Sequence, residues 1–94
     1  MLDINALGEA AECLRVLAHP QRLQIVQLLL SGNAYSVNDL AELCDLNQPT
    51  TSDHLRLMQR CGFLESRKEG RSVFYEIAEP HLEDIMKCIQ SRFG

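Results

Sequence analysis

The 94-residue sequence is poor in aromatic side chains, with three phenylalanines, two tyrosines and no tryptophan. It also lacks a long apolar run. The longest, Leu28-Leu29-Leu30, falls far short of the roughly 18–20 residues needed to cross a bilayer. Met1-Leu2-Asp3 opens with an acid, without the basic and apolar regions of a secretory signal, so a cytoplasmic location and no membrane partner are expected. None of the four cysteines, at positions 13, 44, 61 and 88, belongs to a C-x-x-C pair, which argues against zinc-ribbon, zinc-finger and thioredoxin-type motifs. In a reducing compartment such separated cysteines read first as free, buried thiols. No glycine-rich phosphate loop is present, and no cofactor is expected.

Positive charge is short overall. Nine Lys and Arg stand against 13 Asp and Glu, for a formal net charge of −4, which taken whole argues against a nucleic-acid partner. The distribution is uneven, however. Between Asn47 and Tyr75 the basic residues Arg56, Arg60, Arg67, Lys68 and Arg71 outnumber the acids Asp53, Glu65 and Glu69. A polyanion responds to the local field, so an acidic body with a locally basic segment permits one.

What is present is an ordinary globular composition, 46% hydrophobic and 23% charged, on a chain with room for one domain, residues 1–94. A chain this short buries a modest fraction of its surface, so dimerisation is expected. Ile4, Leu7, Ala11, Leu14 and Leu17 form a helical stripe. Pro20 suits the first turn of a second helix, where its missing N–H costs nothing. That helix carries Leu23, Ile25, Val26, Leu28, Leu29 and Leu30 and ends at Gly32-Asn33. Ser36 with Asp39 three residues on is a helix start, and Val37, Leu40, Ala41 and Cys44 share a face of the short helix that follows. After the tight connection Asp45-Leu46-Asn47, Asn47 reads as the N-cap of a fourth helix with Pro49 in its first turn.

The fourth helix places Thr51, Leu55, Met58 and Gly62 on one side and Pro49, Asp53, Arg56 and Arg60 on the other. Gln48, Thr50 and Ser52 lie exposed near its start. Phe63 to Arg67 and Ser72 to Ile77 are β-prone runs around Lys68-Glu69-Gly70-Arg71, a hairpin. Pro80 opens a last helix bearing Leu82, Ile85, Met86, Ile89 and Phe93. The expected fold is therefore mainly α with a two-stranded β wing, in the order four helices, hairpin, helix.

A short helix, a tight turn and a second helix rich in Gln, Thr, Ser, His and Arg make a helix-turn-helix pattern. Short polar side chains near the start of the second helix can reach base edges and phosphates in the major groove, and the helix N-terminus itself attracts phosphate. The basic-tipped hairpin then acts as a wing along the DNA backbone. Four spaced segments, His19-Pro20-Gln21-Arg22-Leu23-Gln24-Ile25-Val26, Ser36-Val37-Asn38-Asp39-Leu40-Ala41, Asn47-Gln48-Pro49-Thr50-Thr51-Ser52-Asp53-His54-Leu55 and Arg67-Lys68-Glu69-Gly70-Arg71-Ser72-Val73-Phe74-Tyr75, resemble the ArsR/SmtB family of winged-helix repressors. The likeness runs from about Ala6 to about Phe93.

The resemblance implies a winged helix-turn-helix homodimer built on the terminal helices, a transcriptional repressor binding a palindromic operator in double-stranded DNA and leaving it when an inducer acts. Carried over position by position, it implicates Gln48, Thr50, Ser52, His54 and Arg56 of the recognition helix and Arg67, Lys68 and Arg71 of the wing. Asp53 and Thr51 depart from the family pattern. Asp53 faces DNA as a repelling carboxylate or pairs with Arg56 one turn away on a solvated face; Thr51 reads as a near-isosteric replacement in the core.

The family's metal and persulfide sites are not reproduced, and no metal is expected. Ser36 and Asn38 stand where arsenic and cadmium sensors carry Cys-x-Cys, the thiolate pair that soft metals need. Glu79-x-His81 matches half of the zinc and nickel site, but Arg92 occupies a later ligand position; His81 reads as an exposed first-turn residue. The persulfide-sensor positions are Gln27 and Gly94, and a cadmium/lead pair is cut to Cys61 alone by Leu57. Cys44 and Cys61 read as core. Cys13 and Cys88 lie on the two terminal helices, which makes them the candidate thiol sensor for a thiol-reactive or soft-metal inducer, provided their Cα atoms come within about 7 Å. His19 is expected to cap or pack at a helix junction.

Catalysis fails on geometry. Ser52-Asp53-His54 has triad residue types, but adjacent helical side chains diverge and cannot hydrogen-bond in series. The rival to an operator-binding repressor is a winged helix used for protein interaction or dimerisation without specific DNA binding. Salt separates the two, because only the DNA reader displaces phosphate counterions.

Overall fold

The computed structural model describes residues 1–94. Helix α1 spans Ile4–Leu17, capped by the Asp3 carboxylate accepting from the Ala6 N–H. Helix α2 spans Pro20–Leu29, with Pro20 in its first turn as the sequence predicts. Strand β1, Tyr35–Ser36, leads directly into α3, Val37–Leu43, and α4 follows over Gln48–Arg60. The wing is β2, Leu64–Glu69, and β3, Ser72–Ile77; α5, Leu82–Phe93, completes the chain.

Two details go beyond the sequence reading. Tyr35 and Ser36 pair antiparallel with Tyr75 and Phe74, so the wing hairpin belongs to a three-stranded sheet of order β1-β3-β2. Two residues are too few to leave a period-2 signal. The final helix begins at Leu82 rather than at Pro80, because Glu79 to His81 form a separate turn in which the Glu79 carboxylate accepts from the His81 N–H.

Local chemistry sets the remaining boundaries. Ser36 and Asp39 form a reciprocal capping box at 3.0 and 3.1 Å. In the hairpin Glu69 pairs with Ser72, leaving the two-residue turn Gly70-Arg71. Gly70, at φ +61°, supplies the positive φ that a tight hairpin turn places at its first central residue. Between α3 and α4 Asp45 adopts φ +55°, a conformation short Asp side chains tolerate better than most.

The core joins Leu17, Ile25, Val26, Leu29, Leu40, Cys44, Leu55, Met58, Phe63, Leu64, Tyr75 and Leu82, contributed by every helix and by the sheet. Helix α1 contributes only its end to it. Of its apolar stripe Leu17 is buried, while Ile4, Leu7 and Leu14 remain 79%, 48% and 53% exposed. No helix is long and apolar enough to cross a membrane.

Candidate nucleic-acid interface

Helix α4 is fixed at its start by Asn47, whose side-chain oxygen accepts from the Thr50 N–H at 2.8 Å, with Pro49 in the first turn. Its outer face, made by Gln48, Pro49, Ser52, Asp53 and Arg56, lines a shallow surface depression of about 320 Å³. Gln48, Asp53 and Arg56 are exposed, and Thr50 and Ser52 half-buried. The Arg56 guanidinium meets the Asp53 carboxylate at 3.3 Å with both side chains largely in water. Such a pair contributes only tenths of a kcal/mol. Asp53 therefore partly masks Arg56, which is free to exchange that carboxylate for a stronger anion.

His54 is the residue that the structure moves out of the candidate interface. Expected among the DNA-reading side chains, it is instead 7% exposed and turned toward α2. Its Nδ1 accepts from Arg22 Nε at 3.0 Å, its ring lies 4.7 Å from that of His19, and its Nε2 has no partner. Burial first, then the positive charge of Arg22 and the presence of His19, push the His54 imidazole below its ordinary value, with Asp53 opposing. The physical reason is helical phase. Thr51, His54, Leu55 and Met58 are the four buried residues of α4, a spacing of three, one and three that defines a single inward stripe. That signal lies in the sequence, and it outranks a positional carry-over from relatives.

Thr51 is fully buried, and its hydroxyl donates to the Asn47 carbonyl at 2.8 Å, which is how a polar atom sits in this core at no cost in unpaired groups. His19 caps α2 as the sequence suggests, its Nδ1 accepting from the Gln21 N–H at 3.1 Å.

The wing divides its basic residues into two kinds. Arg67 is already engaged, with Nε at 2.9 Å from Glu69 and Nη1 at 3.1 Å from Glu76, and its guanidinium stands over the Phe74 ring at 5.7 Å. Lys68 and Arg71 are exposed and enter no ion pair in the fold. Arg71 shares a cleft of about 100 Å³ with Ser36, Asn38 and Gln48, so the wing turn and the starts of α3 and α4 converge. Gln59 Nε2 donates to Ser66 Oγ at 3.1 Å, tying the far end of α4 to β2. The contributions of Asn38 and Gln59 are absent from the sequence reading because both depend on where the wing folds back.

Among the thiols, Cys44 is buried and pushed up by burial. Cys61 is half-buried, and its thiol is also pushed up, by burial first and then by Cys13 beside it and the charge of Glu12. Both Cys13 and Cys61 pack against the core, so a thiol of α1 faces one at the end of α4. Cys88 lies exposed on α5. The Cys13–Cys61 juxtaposition has no sequence signature, since it arises only when α1 crosses α4. His81 is exposed as expected, its Nδ1 at 2.8 Å from Glu79; hydrogen bonds from His81 hold the Glu79 carboxyl below its usual range.

A helix-turn-helix with a polar outer face and a basic-tipped wing is a nucleic-acid-reading arrangement, and comparison with known proteins agrees. Residues 19–66 match the profile of the bacterial regulatory protein, arsR family. The chain is 34% identical over 88 residues to the transcriptional repressor PagR of Bacillus anthracis, covering 94% of this chain and 88% of the relative. The crystal structure of the transcriptional repressor BigR from Xylella fastidiosa superposes with a TM-score of 0.85 at 29% identity, over 96% of this chain and 91% of that one. The homodimeric winged helix-turn-helix DNA-binding domain Mb0332 from Mycobacterium bovis, solved by NMR, gives a TM-score of 0.82 at 30% identity, over 97% and 85%. The protein belongs to the arsR family of bacterial regulatory proteins, and its work is DNA-binding transcriptional repression rather than catalysis.

Proposed function

We propose that the chain works in the cytoplasm as a homodimer on a palindromic operator, each protomer inserting α4 into a major groove while its wing follows the neighbouring backbone. The carrying observation is the convergence of Gln48, Arg71, Ser36 and Asn38 in one cleft beside the outer face of Ser52 and Arg56. Gln48, Thr50, Ser52 and Arg56 are the proposed groove-facing residues, and Lys68 and Arg71 the proposed phosphate contacts. Arg67 joins them by giving up Glu69 or Glu76. The exposed Ile4, Leu7 and Leu14 of α1 and Phe93 of α5 supply the apolar face that a second copy covers. Two-fold symmetry then spaces the recognition helices for half-sites about 34–36 Å apart.

The test is fluorescence anisotropy of reduced, chelator-treated protein on a duplex from upstream of its own gene and on a scrambled duplex, at two salt concentrations. Preferential binding at two protomers per site that weakens steeply with salt is expected. Equal binding to both duplexes, indifferent to salt, overturns the operator reading in favour of a protein-interaction module.

Cys13 is the proposed centre of inducer response, with Cys88 as its partner across the dimer or Cys61 within the protomer. The placement of Cys13 beside Cys61 supports the second pairing. Burial pushes the Cys61 thiol up, which slows its reaction with oxidants at neutral pH, so alkylation mapping with and without oxidant should show protection developing at Cys61, together with Cys13, over hours. Equal, unchanging reactivity at all three sites ends the thiol reading.

A further inference from the structure

The Arg22–His54 contact is the one part-buried side-chain hydrogen bond that joins the recognition helix to another helix. A single guanidinium makes it: Nε donates to His54 Nδ1 at 3.0 Å, and Nη1 donates to the Val16 carbonyl at 3.1 Å in the last turn of α1. One side chain of α2 thus fastens α4 to α1. The bond requires a particular protonation state. With Nδ1 as acceptor, the imidazole proton resides on Nε2, and that nitrogen is buried without a partner.

A second proton would have to enter at Nδ1, which would then be a donor facing the donor Nε–H of Arg22. Two cationic groups would sit in contact in a part-buried site, with His19 4.7 Å away on the same side. The carboxylate of Asp53, on the adjacent helical position, is the one opposing charge, and its side chain is 73% exposed and committed to Arg56. The fold has no way to keep the contact and the proton together, since neither partner can reverse its role.

We propose that Arg22 and His54 form a proton-operated latch on the recognition helix: with His54 neutral, α4 is held against α1 and α2 in the orientation that reads DNA, and protonation of His54 releases it. His54 is here a positioning residue, acting on DNA through α4 and not touching it. The latch rests on the operator-binding reading for its consequence, but its mechanics belong to the free protein. Burial already favours the neutral imidazole, so the latch is closed near neutrality. A His whose folded value is lowered loses stability as pH falls through its unfolded value of about 6.5 toward the folded one, and the latch opens over that window.

The sign sets this apart from ordinary electrostatics. Acidification makes any protein more positive and strengthens non-specific DNA binding, whereas an opening latch weakens operator binding. The decisive comparison uses the full chain and the variant His54→Asn, whose side-chain oxygen occupies the place of Nδ1 and accepts from Arg22 without titrating. Between about pH 7.5 and 5.5 the operator duplex should bind the natural protein about tenfold more weakly, while the scrambled duplex binds no more weakly. His54→Asn should keep its pH 7.5 affinity and lose the acid-induced fall. A fall that persists in His54→Asn assigns the response to another group, and natural protein that binds the operator as tightly in acid has no latch; either result overturns the proposal.

The second measurement needs no DNA. Imidazole nitrogen shifts and α4 amide exchange are followed by NMR through the same pH range. Unprotonated Nδ1 at neutral pH, and α4 exchange that quickens as His54 titrates, support the latch even if the chosen duplex proves not to be an operator. Exchange in α4 that is unaffected by His54 protonation overturns it.

Discussion

Helices α1 and α4 invert one another. α1 turns leucines and isoleucine to solvent and buries little but Leu17, whereas α4 turns polar side chains outward and still buries two polar ones, Thr51 and His54, among Leu55 and Met58. An apolar face left uncovered marks a helix folded for something outside the protomer. Polar groups buried with defined partners mark a helix whose orientation is being specified. The same crossing region holds both, because Arg22 binds the end of α1 and the middle of α4 together. In the proposed reading, association at α1 and DNA reading at α4 share one anchor, Arg22.

The most severe way to break the contrast is to hollow out α4. Leu55 is completely buried, and Leu55→Ala should cost about 2–5 kcal/mol through lost burial and an unfilled cavity, read as a large drop in thermal midpoint. The matching leucine of α1 should behave differently. Leu7→Glu, at a position 48% exposed in the protomer, should leave protomer secondary structure intact and weaken association. Withdrawing one leucine from an interface removes about 1.5–3 kcal/mol per copy, so sedimentation equilibrium should show at least a tenfold weaker dimer. A Leu7→Glu protein that dimerises as before would place the interface elsewhere.

How much of this was legible beforehand follows the same divide. Capping chemistry is local, so Ser36 with Asp39, Asn47 with Pro49, and Pro20 marked helix starts that the structure reproduces. The hairpin was legible from its two β-prone runs around Lys68-Glu69-Gly70-Arg71. What was not legible depends on chain segments meeting across space: the two-residue strand β1 that exists only because β3 receives it, the engagement of Arg67 by Glu69 and Glu76, and the approach of Cys13 to Cys61. His54 is a different case. Its inward phase was written in the spacing of Thr51, His54, Leu55 and Met58, but a polar residue on a helix read as DNA-facing was counted with its neighbours.

The wing offers a subtler discrimination. Arg56 is held by one exposed carboxylate, and Arg71 by none, while Arg67 is held by two and must give up at least one before it can serve a phosphate. Arg71→Gln should lower the slope of log affinity against log salt by about 1, as expected for one lost phosphate contact. Arg67→Gln should lower it less, and should also loosen the wing by removing the bridge between Glu69 and Glu76. Equal slopes for the two variants would mean that DNA strips Arg67 of its carboxylates completely.

The smallest expected effect is the most exacting test of how α4 accommodates polar atoms. Thr51 is completely buried, and simple hydrophobicity would have its hydroxyl as a defect that valine repairs. The hydroxyl, however, donates to the Asn47 carbonyl at 2.8 Å, and that carbonyl also accepts from the Thr51 N–H at 3.1 Å. Thr51→Val removes the donor together with its own desolvation cost and leaves the carbonyl with its backbone partner, so no buried group is orphaned. The change in stability by thermal unfolding should therefore stay within about 1 kcal/mol in either direction. Arg22→Met removes a donor from beneath His54 and the Val16 carbonyl instead, and should cost more than Thr51→Val despite deleting a side chain nearer the surface. If Thr51→Val proved the costlier of the two, the orientation of α4 would be set by its first turn rather than by its link to α1.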